Sequence, residues 1–212
     1  PVNATTGYGL TALMLACASG RLDIIGLLLD RGANARAKTD IGLTPLVMAA
    51  DKGHASAVRR LLVAAAEPDA RYGQGKTPLM SASALAHLGA VEALLEARAD
   101  VNAVSDDGKY ALFYAVEKGL KDGLVCPIEG AVAAKHDAEA TVQALLNTEA
   151  DPNIPGQAGQ TPLHVACTGG SIDMVEMLVA AGADFAACDE TGRNPVDAAE
   201  NAGHAEVILL LR

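Results

Sequence analysis

Tryptophan is absent, and two phenylalanines and four tyrosines are the only aromatic residues among 212, although half of all positions are apolar. Such a core must be filled by Ala, Leu, Val, Ile and Met, which suits short, closely packed helices and predicts an all-α fold. Basic residues are few as well: 16 Lys and Arg stand against 26 Asp and Glu, for a net charge of −10. That balance repels phosphate backbones and anionic lipid, and no basic patch offsets it, so no nucleic-acid partner is expected. Long apolar runs are missing too. Leu61–Ala66, bounded by Arg60 and Glu67, is far too short to span a bilayer, so no direct membrane insertion is expected. Cys17, Cys126, Cys167 and Cys188 form no CxxC pair, which excludes the usual zinc and disulfide frameworks. With no signal-like N-terminus, a reducing, intracellular and cytoplasmic location is expected, any targeting signal lying outside a sequence that starts at Pro1.

What the sequence has in abundance is repetition. GLTAL at Gly9, GLTPL at Gly42, GKTPL at Gly75, GKYAL at Gly108, GQTPL at Gly159 and GRNPV at Gly192 are spaced by 33, 33, 33, 51 and 33 residues. Each copy continues into a small-residue segment and then an apolar stripe, in most copies ending in paired aliphatics such as Leu28-Leu29, Leu61-Leu62 and Leu94-Leu95. The long interval is one period plus 18 residues, LKDGLVCPIEGAVAAKHD at 120–137. Thr before Pro at Thr44, Thr77 and Thr161 predicts a capped helix start, and Gly32 and Gly182 predict left-handed helix ends. Neither helix of a copy is long enough to be stable alone, so stacking on the neighbouring copy must stabilise it.

The chain resembles the ankyrin repeat, matched by Gly159–Gly170 and by Gly182-Ala183-Asp184 among others, over almost its whole length. The resemblance implies one solenoid domain over 1–212, six helix pairs with hairpin tips, and a protein partner. Val2-Asn3-Ala4 reads as the tail of a preceding repeat, and the chain is expected to be part of a longer one. The final Val207–Leu211 run, five aliphatics, is expected to need a cover.

Ala70–Thr77, ARYGQGKT, fits a relaxed phosphate-loop pattern. Such a loop needs a buried strand before it, and here a helix end and turn precede it, so Lys76 is read as a variable hairpin-tip position. No cofactor is expected. Neither a nucleophile elbow nor a carboxylate pair stands outside the repeat register, and the chain is not expected to be an enzyme.

In the ankyrin family the tips and the exposed side of the first helix of each pair form the concave surface that grips partners. Carried over by position, the partner-binding residues are Tyr8, Leu10, Ile41, Leu43, Tyr72, Gln74, Lys76, Asp106, Asp107 and Lys109, with Asp51, Lys52, Glu117 and Lys118 at helix ends. Gln157, Gln160, Glu190 and Arg193 continue the row of tips. Tyr8, Leu10, Ile41, Leu43 and Tyr72 cluster apolar groups where solvent favours polar ones, which suggests a binding patch. An alternative is a structural or scaffolding subunit within a larger assembly, and a third is an interaction domain attached to an enzyme domain.

Repeat four departs from the pattern. Tyr110-Ala111 replaces Thr-Pro, bulky Phe113 and Tyr114 follow, and the insertion should emerge opposite the tips. Gly119–Gly130 is expected to be a loop, and Ala131 onward to lengthen the second helix by about two turns. Ala65, Arg98 and Glu149 replace the helix-ending Gly, so the middle repeats are expected either to be less rigid or to end differently. His54, His87 and His204 share one slot and, with His164, are expected to be structural; Cys17 and Cys167 are expected to be buried, and Cys126 to be the exposed thiol.

Overall fold

The computed structural model describes residues 1–123 and 129–212. Twelve α-helices follow one another among them, and no strand forms beyond two isolated bridges, Thr5 with Thr11 and Tyr72 with Lys76. The helices form six pairs: α1 (Ala12–Ala18) with α2 (Leu22–Asp30), α3 (Pro45–Asp51) with α4 (Ala55–Val63), α5 (Pro78–Ala84) with α6 (Leu88–Glu96), α7 (Ala111–Gly123) with α8 (Glu129–Leu146), α9 (Pro162–Gly169) with α10 (Ile172–Ala180), and α11 (Pro195–Ala202) with α12 (Ala205–Leu211). The first helices touch in the order α1, α3, α5, α7, α9, α11, and the second helices form a parallel row from α2 to α12. Each repeat therefore contacts its neighbours, and the stack stabilises helices too short to stand alone.

Helix starts follow from side-chain oxygens. Thr11, Thr44 and Thr77 accept the N–H of Met14, Val47 and Met80 at 3.3, 3.2 and 3.4 Å. Thr161 differs: its hydroxyl and its backbone N–H both face Nδ1 of His164, at 2.9 and 3.2 Å, while Nε2 meets the Arg193 carbonyl at 3.0 Å. A carbonyl only accepts, so the His164 proton sits on Nε2 and Nδ1 is the acceptor. The capping threonine of repeat five is thus tied through one imidazole to the tip of repeat six. His54, His87 and His204 likewise place Nε2 against the carbonyls of Ala18, Asp51 and Thr168 in the preceding repeat. Cys17 and Cys167 are buried, and burial pushes both thiols up to about 12. Cys126 lies outside the described residues.

Two expectations need correction. Ala65, Arg98 and Glu149 do not end their helices differently: all three adopt positive φ, at 60, 59 and 66°, as Gly32 and Gly182 do at 80 and 86°. The backbone geometry of the repeat overrides the side-chain preference. The expected loop is also shorter, because α7 runs on through Gly123 and α8 begins at Glu129, which leaves only 124–128 outside the described residues. Packing on repeat five explains the extension of α7 past Gly119. Gly119 and Leu120 of α7 dock on repeat five in reciprocal fashion: the Met174 methyl fills the space beside Gly119, and the Leu120 side chain fills the space beside Gly169. The lengthening of the second helix is as expected.

The bulky residues of repeat four are accommodated inside. Tyr110 is fully buried, with its hydroxyl donating to the Asp151 carbonyl at 3.1 Å. Phe113 is buried beside it, ring centres 6.4 Å apart, against Gly156, which lacks the Cβ that would collide with that ring.

Between repeats, asparagines act as two-handed links. Asn3 donates to the Gly32 carbonyl and accepts from the Asn34 N–H; Asn102 does the same with Glu149 and Asp151, and Asn153 with Gly182 and Asp184. At the two joints in between, Arg36 only donates, to the Ala65 carbonyl, and Asp69 only accepts, from the Asp100 N–H.

Candidate partner-binding surface

Each tip is a tight turn braced locally. The side-chain oxygens of Thr6, Thr39 and Asp189 accept the N–H four residues on, from Leu10, Leu43 and Arg193, at 3.2, 3.0 and 3.0 Å. In the third tip Tyr72 and Lys76 exchange two backbone hydrogen bonds of 3.0 Å, with Gly73 and Gly75 at positive φ between them. This is the stretch with the phosphate-loop pattern. It follows α4 and a turn, and its lysine does not point at an open nest of N–H groups: Lys76 Nζ lies 5.4 Å from the centre of the Tyr114 ring. The sequence pattern is therefore a hairpin tip leading into α5.

The sequence-derived residues fall into two groups. In the first, Tyr8 and Ile41 project from their tips, 79% and 65% exposed, and Leu10 and Leu43 are half-buried between them. With Thr39 and Asp40 they line a cavity of about 270 Å³. A neighbouring cavity of about 330 Å³ shares Leu43 and adds Ala18, Val47, Met48, Asp51, Lys52 and Tyr72. Lys52 and Asp51 form an ion pair at 3.1 Å on its rim. Tyr72 is half-buried, with its hydroxyl hydrogen-bonded to Ser81.

The second group gathers around Tyr114. Lys109 Nζ pairs with Glu117 at 2.7 Å and lies 5.3 and 5.7 Å from the ring centres of Phe113 and Tyr114. With Lys76 on the same ring, two ammonium groups share aromatic faces, an arrangement attractive through the ring quadrupole. The Tyr114 hydroxyl donates to Asp107 at 3.4 Å, and Ser105 donates to the same carboxylate at 2.5 Å. Desolvation chiefly, then the Asp107 and Glu117 carboxylates, push the Tyr114 phenol up to about 12, so it remains a donor at neutral pH. For Asp107, desolvation works against ionisation, but the Ser105 and backbone hydrogen bonds and the two lysines outweigh it and hold its carboxyl below the usual range.

Other sequence-derived residues stand apart from both groups. Gln74 and Asp106 are exposed and joined through the backbone, Asp106 N–H to Gln74 carbonyl at 3.0 Å. Gln157 and Glu190 are exposed on later tips, Gln160 and Arg193 line a separate cavity of about 270 Å³, and Lys118 is half-buried at the end of the ordinary helix-A span. Missed at the sequence level were Asp40, Val47, Met48 and Tyr114. The signal for Met48 and Tyr114 lay in their shared slot, held in the other copies by Leu15, Ser81, Val165 and Ala198, a variability that core slots do not show. Among the described residues no three His, Cys, Asp or Glu side chains are grouped to hold a metal, and no helix is long and apolar enough to cross a membrane.

Comparison with known proteins agrees with this architecture. A family model described as ankyrin repeats (3 copies) matches residues 1–72, 56–124 and 131–212, leaving only 125–130, inside the insertion, unmatched. Relatives include the tyrosine-protein kinase HTK16 of Hydra vulgaris, 36% identical over 104 residues that make up 48% of this chain and 13% of the kinase. The ARF GTPase-activating protein GIT1 of Homo sapiens is 47% identical over 68 residues, 32% of this chain and 9% of that protein. The Notch-regulated ankyrin repeat-containing protein of Xenopus tropicalis is 31% identical over 75 residues, 35% of this chain and 66% of that protein. The matched regions are thus small parts of the first two relatives.

Proposed function

Since the chain belongs to the ankyrin-repeat family, we propose that it is a protein-interaction module that engages its partner through the hairpin tips and the exposed side of the first-helix row. Ankyrin repeats are in general protein–protein interaction modules, and the family is typically non-catalytic. The observation that carries the reading is the pair of cavities meeting at Leu43, walled by Tyr8, Leu10, Ile41, Met48 and Tyr72. Apolar side chains held on tips, where water favours polar groups, mark a contact surface. The cluster of Lys76, Asp107, Lys109 and Glu117 around Tyr114 supplies directional polar contacts to the same partner. Asp51, Lys52, Gln74, Asp106 and Lys118 form its rim, where contacts exclude water more than they add affinity.

A second reading, a structural subunit inside a larger assembly, is favoured by one observation. Leu22 and Leu27 in repeat one and Leu209 and Leu210 in repeat six are exposed at opposite ends of the stack. Affinity capture followed by identification of bound proteins tests the first reading. Partners lost with Ile41→Ser/Leu43→Ser at unchanged melting temperature support it. Partners retained by that variant and lost with Leu27→Glu or Leu209→Glu favour the assembly reading instead.

A further inference from the structure

The two cavities at Leu43 specify the chemistry of what they hold, an inference that rests on the interaction reading above. The first is walled by the Tyr8 ring and the side chains of Leu10, Ile41 and Leu43, and the second by Leu43, Val47, Met48 and Tyr72. Most polar side-chain atoms around them are already engaged. Thr39 Oγ1 accepts the Leu43 N–H at 3.0 Å, Tyr72 is hydrogen-bonded to Ser81, and Asp51 is paired with Lys52 at 3.1 Å. Among the described residues, the carboxylate of Asp40 and the hydroxyl of Tyr8, both in exposed residues on the rim of the first cavity, have no hydrogen-bond or ion-pair partner.

An occupant therefore meets two apolar recesses whose lining carries one partnerless carboxylate and, as its one cation, Lys52, which is paired with Asp51. Opposite charge at a rim favours encounter and register, whereas a carboxylate facing Asp40 would be repelled. The first recess lies between the tips of repeats one and two and the second reaches on to Tyr72 of repeat three, and packed helices of neighbouring repeats lie about 8–10 Å apart. A polyproline II segment rises about 3.1 Å per residue and returns to the same face every third residue, so side chains three apart are spaced by about 9 Å.

We propose that this surface binds an extended protein segment that seats two apolar side chains, three residues apart, in the Tyr8–Ile41–Leu43 and Leu43–Met48–Tyr72 recesses and lays a Lys or Arg against Asp40. Segments of this kind are short and lack structure of their own, so affinity comes from the two anchors. The basic residue sets direction along the stack.

The test is selection of a random twelve-residue peptide display library on the full 212-residue chain, followed by titration of the enriched peptides against wild type, Ile41→Ser/Leu43→Ser and Asp40→Asn. The expected result is a consensus of two apolar residues three apart with an adjacent Lys or Arg. Its affinity should fall by about tenfold or more in the double variant, as for buried anchors. With Asp40→Asn the loss should be about two- to fivefold and should vanish at high salt. Enriched peptides that bind the double variant as well as wild type, or that show no basic preference, overturn the proposal while leaving the interaction reading intact. A wild-type chain that melts cooperatively yet enriches no peptide also overturns it, because the recesses then do not hold a short segment. The protein-capture experiment above decides the broader reading separately.

Discussion

The imidazole of His87 occupies the space that a side chain on Gly53 would need: its Nδ1 lies 2.7 Å from where a Cβ on that glycine would stand. His54 covers Gly20 at 2.7 Å and His204 covers Gly170 at 2.5 Å in the same way. Each glycine also has positive φ, between 64 and 70°. Repeats three and four depart from the rule: Ala86 takes the glycine slot at φ 54°, with Ala138 in the histidine slot of the next repeat, and Gly119 lies inside α7 against Met174. The glycine is thus required by the ring above it as much as by its own dihedral.

This pairing predicts opposite signs at equivalent positions. Gly53→Ala should destabilise by about 2 kcal/mol or more, since left-handed strain of about 1–2 kcal/mol is joined by displacement of the His87 ring. Ala86→Gly should stabilise, by about 0.5–1 kcal/mol, because only the strain is removed. Urea unfolding of the two variants beside wild type checks both; a loss of stability in Ala86→Gly would show that its methyl contributes more packing than strain.

Arg98 and Glu149, exposed and left-handed, are held there by the repeat. Arg98→Gly and Glu149→Gly should each raise stability by about 0.5–1 kcal/mol despite loosening the unfolded chain. Additivity is expected, as the residues lie in different repeats. A shift of the melting midpoint upward in the double variant, larger than in either single one, is the measurement.

Leu120 fits over Gly169 where no Cβ can stand. Gly169→Ala should therefore be destabilising in wild type and nearly neutral in Leu120→Ala, giving a coupling of about 1 kcal/mol or more in a double-mutant cycle. Leu120→Ala alone should cost about 2 kcal/mol, the lower end for a half-buried aliphatic. Deletion of 120–137, which a purely external loop would tolerate, should lower the melting temperature through loss of this contact.

Asp189 braces the sixth tip by accepting from the Thr191 hydroxyl and N–H and from the Arg193 N–H, at 2.6, 2.8 and 3.0 Å. Those hydrogen bonds, the Thr191 hydroxyl first, lower its carboxyl to about 2. A depressed carboxyl contributes stability that is fully present above the ordinary value near 4 and disappears as pH falls through the folded value of about 2. Melting temperature followed from about pH 5 down to about pH 2 should fall less steeply in Asp189→Asn than in wild type. Parallel curves would assign the acid sensitivity to other carboxylates.

Lys76 should be dispensable for the fold apart from its contact with Tyr114, worth about 0.5–1 kcal/mol. ATP should leave the melting temperature unchanged in wild type and in Lys76→Ala alike. A nucleotide-dependent shift abolished by that substitution would reinstate the phosphate-loop reading of ARYGQGKT.

The period of 33 residues made the repeats, their helix pairs and the tip positions legible in the sequence, because Gly, Thr-Pro and paired aliphatics recur at places where backbone geometry and packing permit little else. The left-handed Arg98 escaped that reading since local preference opposes it, and only the stack on either side imposes the conformation. The extension of α7 escaped it for a related reason: Gly119 looks like a helix end, yet it serves as a socket for Met174 from the next repeat. At the tips, sequence position located Ile41 and Leu43. That they share a recess with Met48, from the middle of α3, depends on how successive repeats lie side by side.

The asparagine links have a mechanical consequence. Where Asn102 and Asn153 grip the following repeat with both a donor and an acceptor, the joint resists sliding and rocking alike. Arg36 donates to one carbonyl and pairs with Glu67 at 3.6 Å, Asp69 only accepts, and their joints connect repeats one to two and two to three; at the joint of repeats five and six Ala186 stands in the same place and can make neither bond. In a linear array, compliance collects at the weakest joints. Stiffness is consequently greatest from repeat three to repeat five, and the tips bearing Tyr8, Ile41 and Tyr72 sit on joints that yield before that centre does.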